Sequence, residues 1–526
     1  MASSYLMQSN ARRFVLCLLL FLAAGVVPLS LLGADSSSTI VTNIGSRREL
    51  FVDDLLVEKL VGGTEMRLHH PVPREIVMVH DAPWEGNATA YYTAFKDGEK
   101  YRLYYRAWNL SVTEEGVEPG ANEQIECYAE SEDGIHWRKP ALGLHYFEGS
   151  KANNIVLVNG EVGGMKVKTE AAAVFKDENP SAPSDARYKA FFHFQKYTGG
   201  LVPFRSPDGF HWYPMSDGPV ITDSTRNAFD SQICSFWDTV RGEYRVYWRY
   251  MAPADGGRAI RTATSKDFVH WENRSDLKYV DSPLEELYEN SVKPYYRAPH
   301  LLIGFPVRYV ERGWSDSMRA LPDRENREWR AKSAERYGTA LTEGLLMASR
   351  DGVNFKRWNE AFLPPGIERT GTWNYGHQYI GWHVVETKSA MEGAPNELSM
   401  YASENYWLGH SSRLRRYTLR LDGFVSAKAP MSGGELITKP VRFNGRRLEL
   451  NFSTSAAGSL RVELQDLNGN PLPGFALADC PPIFGDTIER PVMWAQSQDV
   501  SALAGRAVRL RFELKDADLY AFQFRE

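Results

Sequence analysis

The sequence predicts an all-β protein, a five-bladed β-propeller followed by a C-terminal β-sandwich. Helical periodicity is scarce along the 526 residues, whereas short runs rich in Tyr, Phe, Trp and Val are frequent and often meet an Asp-Gly turn. One turn motif also recurs at long intervals. Such self-similarity is the signature of a repeat architecture, so the motif sets the predicted number of blades.

The recurring motif is Ser-x-Asp-Gly followed by an aromatic residue. Four copies, the third with Phe in place of Gly, and a weaker fifth copy occur at residues 131–137, 206–212, 265–271, 349–355 and 420–424. Successive aspartates are 59 to 84 residues apart, which suits a blade of four strands with its loops. Glycine permits a positive φ in the turn, and the aspartate can accept hydrogen bonds from nearby amides.

A paired-strand pattern accompanies the motif in each of the first four repeats. The clearest examples are residues 100–106, 187–192, 243–249 and 299–305. One blade cannot bury both of its faces, whereas radial stacking buries each face against a neighbouring blade. We therefore expect five blades over residues 45–428.

Strand patterns continue beyond the last motif without repeating it. Hydrophobic and polar residues alternate at residues 448–452, 460–464, 508–514 and 520–524. This alternation predicts a β-sandwich domain over residues 429–526.

One segment departs from the β pattern. Residues 323–337 are dense in Arg and Glu, with the charges at helical spacing. Two interpretations stay open, a solvated surface helix and a lid that flanks the mouth of the propeller channel.

The N-terminus has the pattern of a secretory signal. Arg12 and Arg13 precede an apolar run over residues 14–32, and polar residues follow Ala34. This pattern predicts a signal peptide over residues 1–34 and a secreted or periplasmic protein. The alternative is a membrane anchor, since the run is about as long as a minimal membrane span.

Charge and cysteine content restrict the partners. Sixty-six acidic residues against 61 basic ones give a net charge of −5. The chain therefore has no excess of positive charge with which to bind nucleic acid or an anionic membrane. Cys127, Cys234 and Cys480 remain after the signal, and an odd number at long spacings predicts no disulfide framework. We expect a monomer that binds a neutral or polar ligand and has no membrane contact once the signal is removed.

With these motifs the chain resembles the five-bladed β-propeller glycoside hydrolases of families 32, 43 and 68, and its two-domain plan is closest to family 32. Segments 81–85, 229–231 and 288–290 are the nearest pieces to the three family-32 catalytic segments, and none is a clean match. Residues 50–54, Leu-Phe-Val-Asp-Asp, also resemble a group of secreted bacterial propeller proteins without an established substrate. The resemblance implies a glycosidase-like enzyme but no fructosidase.

Candidate catalytic residues follow from the register of the predicted blades. In a propeller the start of each inner strand faces the central channel, so acids at these positions from several blades converge. Glycoside cleavage needs one carboxyl to protonate the leaving oxygen and a second to attack or to activate water. We predict Asp81 as nucleophile or base, Glu289 as general acid and Asp230 as the orienting carboxylate. For each of these acids the alternative is a structural role, in which an acid at a strand end pairs with an arginine or with a turn amide.

Further polar and aromatic groups near these positions could contact sugar hydroxyls. The predicted substrate-binding residues are Glu170, Arg297, His300, Trp373 and His377. No His/Asp cluster has the spacing of metal ligands, so we expect no metal in the site and no cofactor, and a structural calcium ion stays open.

Two other functions compete with a hydrolase that acts on an oligo- or polysaccharide. A non-catalytic carbohydrate-binding propeller would keep the blades without a spaced acid pair. A sialidase-like or lyase enzyme would need an arginine cluster for a carboxylate substrate, and Arg297, Arg308 and Arg312 are the candidates.

Overall fold

The computed structural model describes residues 40–120, 122–195, 199–252, 257–495 and 497–526. The predicted signal peptide at residues 1–34 lies outside these ranges. The described chain is all-β, and its α-helices lie within one insert. Among the described residues, no helix is long and apolar enough to cross a membrane.

The predicted turn is confirmed at the first four motifs. In the first, Ser131 Oγ accepts a hydrogen bond from the Gly134 amide at 2.9 Å, and Asp133 Oδ1 accepts from two further amides at 2.8 Å. Gly134 has a φ of +74°, and Phe268, which stands in its place in the third motif, has a φ of +70°. All these bonds join residues within three positions, so local sequence is enough to specify the turn.

Five sheets follow one another along the chain. The first consists of Ala90–Asp97, Lys100–Ala107, Ile125–Ser131 and Ile155–Val158. The second consists of Gly160–Val162, Met165–Lys168, Phe175–Lys176, Tyr188–Phe194, Leu201–Ser206 and Tyr213–Pro214. The third consists of Cys234–Asp238, Glu243–Met251, Arg258–Ser265 and Trp271–Asp276.

The fourth sheet consists of Lys278–Val280, Lys293–Tyr295, Ala298–Gly304, Met347–Ser349 and Asn354–Arg357. A three-stranded sheet extends from the same segment, with strands Glu286–Leu287, Val307–Glu311 and Ala340–Gly344. The fifth sheet consists of Val385–Thr387, Glu397–Glu404 and Arg413–Arg420, with the early strand Val72–Val79 as its edge. The fifth sheet therefore combines the two ends of the repeat region.

Each of the five sheets contacts the next, and the fifth contacts the first. Tyrosine hydroxyls donate to the carbonyl of the motif glycine in three of these contacts. The five contacts are Tyr104 to Gly209 O at 3.4 Å, the Phe191 and Phe268 rings at 4.7 Å, Tyr247 to Gly352 O at 2.9 Å, Tyr296 to Glu386 Oε2 at 2.5 Å, and Tyr401 to Gly134 O at 2.5 Å.

A ten-stranded sheet contains the C-terminal strands, and we call it the C-terminal sheet. Its strands are Thr42–Gly45, Arg48–Leu50, Val57–Val61, Glu65–Leu68, Val425–Ala429, Gly434–Thr438, Val441–Phe443, Arg447–Gln465, Asp486–Pro491 and Ala507–Arg525. Four of them come from residues 42–68, before the first of the five sheets. The N-terminal segment thus pairs with the C-terminal part of the chain.

One hydrophobic cluster joins the C-terminal sheet to the fourth and fifth sheets. It contains Leu301 and Leu398 together with Leu436 and Phe522, all of them buried. Because this contact is apolar and continuous, we expect no independent motion of the two parts. Cys127, Cys234 and Cys480 are free and buried.

The insert contains the helices Asp316–Ala320, Arg324–Ser333 and Glu335–Thr339. A short hairpin of the strands Leu110–Thr113 and Gly116–Pro119 contacts the middle helix. Single 3-10 turns occur at Ser184–Ala186, Leu477–Asp479 and Ser501–Leu503.

Candidate active site

Two arginines occupy the same position in the paired-strand pattern of the first and third sheets. Arg106 ends Tyr-Arg-Leu-Tyr-Tyr-Arg, and Arg249 ends Tyr-Arg-Val-Tyr-Trp-Arg. Both side chains are buried. Arg249 Nη2 lies 2.6 Å from Asp230 Oδ2, and its guanidinium lies 4.4 Å from the centroid of the Tyr288 ring. The third sheet thus holds Asp230 by an ion pair whose cation is buried.

Glu289 lies beside this ion pair, at the start of the chain segment that enters the fourth sheet. Its residue exposure is 3 %, neither carboxyl oxygen makes a well-formed hydrogen bond among the described residues, and the Gln232 amide is close enough to favour the ionised form. Burial raises the pKa of Glu289 to about 8, with a contribution from the charge of Asp230, although Arg249 and Arg106 oppose the rise. The carboxyl group is therefore protonated at neutral pH and can donate a proton.

Glu126 is a second buried acid near Arg106. Burial raises its pKa well above the usual value, the charge of Glu170 adds to the rise, and Arg106 opposes it. It lies in the strand Ile125–Ser131 between Ile125 and Cys127. Sequence reasoning missed Glu126, and an acid in an otherwise apolar stretch of strand was the available signal.

Glu170 is a buried acid whose charge acts on Glu126. Its buried carboxylate lies 3.5 Å from Lys168 Nζ and accepts a hydrogen bond from Asn159 at 3.4 Å. It also lines a cleft of about 400 Å³ together with Trp108 and Gln124. Glu170 follows the strand Met165–Lys168 of the second sheet and precedes Phe175–Lys176, so it lies between a solvent-accessible cleft and the region of Glu126.

Five buried tyrosines surround the arginines and Glu289. They are Tyr91, Tyr288, Tyr375, Tyr379 and Tyr406. The Tyr288 and Tyr375 hydroxyls are 2.8 Å apart, and Arg106 Nη2 donates to the Tyr406 hydroxyl at 3.0 Å. Burial raises the pKa of the Tyr375 and Tyr379 hydroxyls, so this wall is neutral and offers hydroxyl donors.

The insert packs against this tyrosine wall. Arg327 and Arg330 of its middle helix each have 1 % exposure. Arg330 donates to the Tyr375 carbonyl at 3.3 Å, and Arg327 donates to the Trp373 carbonyl. Burial lowers the pKa of both guanidinium groups to about 10. A helix that buries two arginines in this way is not a freely solvated one, and the lid interpretation stays a prediction.

Asp81 lies at the surface, whereas Glu289 is buried. The Asp81 side chain is 74 % exposed and lies 3.7 Å from Lys139 Nζ. The same lysine contacts Glu85 at 2.5 Å, and Tyr105 donates to Glu85 at 2.6 Å. Burial opposes ionisation of Glu85, but His80 and Lys139 outweigh it and lower the pKa to about 2. In the described ranges, no hydrogen bond or ion pair joins Asp81 to Asp230 or Glu289.

Arg297 and His300 face the C-terminal sheet. Arg297 Nε lies 2.9 Å from Asp422 Oδ1, and His300 Nε2 lies 3.4 Å from Glu49 Oε2. Arg308, an arginine of the rival sialidase-like interpretation, pairs with Glu343 at 2.6 Å. Arg312 is exposed. The arginines that converge on the buried acids are Arg106 and Arg249 instead.

Trp373 and His377 lie together beneath the insert. The Trp373 amide donates to His377 Nδ1 at 3.1 Å, and the Trp373 indole donates to the Gly366 carbonyl at 2.7 Å. Burial lowers the pKa of His377 to about 3, so its imidazole is neutral. Within the described part of the chain, no group of three or more His, Cys, Asp or Glu side chains could hold a metal ion.

No family model matches this sequence, and no curated protein matches it. Solved structures with a similar chain course include a thermostable family-43 glycoside hydrolase at 12 % identity, covering 67 % of this chain and 96 % of that chain with a TM-score of 0.40. Endo-arabinase from Bacteroides thetaiotaomicron has 12 % identity, coverage of 66 % and 98 %, and a TM-score of 0.37.

An N-acetylgalactosamine deacetylase from F. plautii, solved with blood group B trisaccharide, has 12 % identity and covers 88 % of this chain and 95 % of its own, with a TM-score of 0.37.

Proposed function

We propose that the chain is a secreted glycoside hydrolase built on a five-bladed propeller with a C-terminal sandwich. The five successive sheets supply the blades, and the contact of Tyr401 with the Gly134 carbonyl supports closure of the fifth on the first. The C-terminal sheet, with its partners from residues 42–68, supplies the sandwich. Residues 1–34 direct secretion.

One observation carries the hydrolase proposal: a protonated acid lies beside a charged one. Glu289 has a pKa of about 8 because it is buried, whereas Asp230 is 47 % exposed and pairs with Arg249 at 2.6 Å. Glycosidases use two carboxyl groups whose environments separate their protonation states. Glu289 donates a proton to the glycosidic oxygen as the bond to the anomeric carbon breaks.

Asp230 takes the second role, attacking the anomeric carbon or removing a proton from the attacking water. We assign this role to Asp230 rather than to Asp81, because Asp81 lies at the surface beside Lys139. Arg249 fixes the orientation of the Asp230 carboxylate and contributes positive charge beside Glu289. The protonated Glu289 limits the charge repulsion that two close carboxylates would otherwise have.

The substrate is an oligo- or polysaccharide that enters along the cleft at Glu170. This cleft offers the Trp108 ring, the Asn122 and Gln124 amides and the Lys168 amine. An aromatic face with a few polar groups is the composition of a small-ligand site and suits a sugar ring.

The test is a panel of plant and algal glycans incubated with the purified protein, with product release as the measurement. Wild-type protein should release sugar from at least one glycan, and Glu289→Gln and Asp230→Asn should each reduce the rate by about 100-fold or more. Asp81→Asn is the control and should retain most of the activity. Equal release by Glu289→Gln and wild type would refute the mechanism, and glycan binding without release would favour a carbohydrate-binding propeller.

A further inference from the structure

A cavity of about 780 Å³ lies at the other end of the inner strands from Glu289. The strand Ala90–Asp97 carries Tyr91 of the tyrosine wall near its start and Phe95 and Lys96 of this cavity near its end. The segment from Glu289 leads in the same way to Lys293. Four residues span at most ~14 Å, so this cavity is close to the active site without being part of it.

Lys293 contributes an ammonium group without a counterion to the cavity. No hydrogen bond or ion pair of its Nζ is found among the described residues, and Glu178, which lines the same cavity, acts on it through a longer-range charge interaction that opposes the fall in pKa. Burial lowers the pKa of Lys293 to about 8. The side chain is half-buried and lines the cavity, so its unpaired ammonium group marks a place where an anion can bind.

His383 contributes a second polar atom without a partner. The residue is 95 % buried, since its exposure is 5 %, and its Nε2 has no hydrogen bond in the described part of the chain. Its ring stacks on Trp382 at 4.1 Å, and its backbone has a φ of +85°. Burial, with the charge of Lys293, lowers the pKa well below the usual value, so the neutral ring can donate or accept one hydrogen bond.

Two of the acids in the wall already have partners of their own. Glu386 accepts hydrogen bonds from Tyr296 at 2.5 Å and from Asn396 at 2.7 Å. Asp133 accepts from the amides of its turn. Both acids therefore have partners, and the Tyr296 ring that Glu386 holds lines the cavity together with Lys293.

We propose that this cavity binds a small monocarboxylate that carries hydroxyl groups, of the size of a sugar acid. Its carboxylate pairs with Lys293, a hydroxyl group bonds His383 Nε2, and its carbon skeleton lies against Phe95 and Tyr296. The volume of the cavity falls within the range of small-ligand sites. Glu99 and Glu132 at the wall repel a ligand with several negative charges, which selects a single carboxylate.

The experiment is calorimetric titration of the full protein with D-galacturonate, D-glucuronate, D-glucose and inorganic phosphate. Wild-type protein should bind at least one uronate and neither glucose nor phosphate. Lys293→Met should weaken uronate binding at least tenfold, whereas Lys388→Met, which removes an exposed amine from the wall of the same cavity, should change it less than about twofold.

Glu289→Gln separates this site from the proposed hydrolase, because it should keep uronate binding while it loses catalysis. Circular dichroism checks that the Lys293→Met variant is folded, and removal of an unpaired charge from a half-buried side chain should not unfold it. His383→Gln is the second variant, and it should also weaken binding. Unchanged uronate affinity in Lys293→Met, or binding of phosphate but of no uronate by the wild type, would overturn the proposal.

Discussion

Replacing Glu289 with glutamine should stabilise the protein at neutral pH while it removes the proposed proton donor. The native carboxyl has a pKa of about 8, against 4.5 for a free glutamate, and its exposure is only 3 %. At pH 7 the group is ionised in the unfolded chain but protonated in the folded one, so folding must take up a proton. Glutamine resembles the protonated acid in shape and needs no proton.

The magnitude at pH 7 follows from how far this pH lies above the unfolded pKa of 4.5, because pH 7 is still below the folded pKa of about 8. One pKa unit corresponds to about 1.4 kcal/mol, so at pH 7 the variant should be more stable by about 3 kcal/mol. Since the folded pKa is raised, the contribution of Glu289 to wild-type stability is complete below pH 4.5 and is lost as the pH rises toward about 8. The advantage of the variant should therefore be under about 1 kcal/mol at pH 5 and should grow with pH.

Urea unfolding followed by tryptophan fluorescence at pH 5 and pH 7 measures this difference. Glu85→Gln is the matched control, because Glu85 is also buried but has a pKa of about 2 and pairs with Lys139. Its loss should destabilise the protein by about 3 kcal/mol at pH 7, opposite in sign to Glu289→Gln. An advantage of Glu289→Gln that does not increase between pH 5 and pH 7 would refute the assigned burial and protonation of Glu289.

Three further predictions concern activity and stability. The hydrolysis rate should fall as the pH rises through about 8, because Glu289 must be protonated to act as an acid, and a pH profile of kcat/KM checks this. Arg297→Met should destabilise the protein by about 2 to 3 kcal/mol, because Arg297 pairs with Asp422 beside the C-terminal sheet. It should not lower glycan hydrolysis. Urea unfolding measures the first effect and the glycan assay the second. Gly352→Ala should destabilise more than Gly98→Ala in thermal unfolding, because both have positive φ but only at Gly352 would a Cβ meet Arg245, at 2.6 Å.

The turns and most strands could be predicted because the interactions that form them are local. Asp133 bonds amides two and three residues ahead of it, so Ser-x-Asp-Gly specifies its own hydrogen bonds wherever it occurs. Alternation of apolar residues likewise predicts the long C-terminal strands, since each residue's face is set by its neighbours in sequence. The pairing of residues 42–68 with strands about 400 residues later escaped prediction, because no local pattern identifies a distant partner.

In the candidate site too, the sequence predicts some features and only the fold decides the others. Sequence register singled out Asp81, Asp230 and Glu289 as acids near the start of inner strands. All three are carboxylic acids, so residue type alone does not show which of them is buried or protonated. Only the folded chain decides that Arg249 from a neighbouring strand reaches Asp230, that Glu289 is enclosed beside it, and that Asp81 stays in solvent next to Lys139. The proton affinity of a carboxyl depends on the water and charge around it, and side chains distant in sequence supply both.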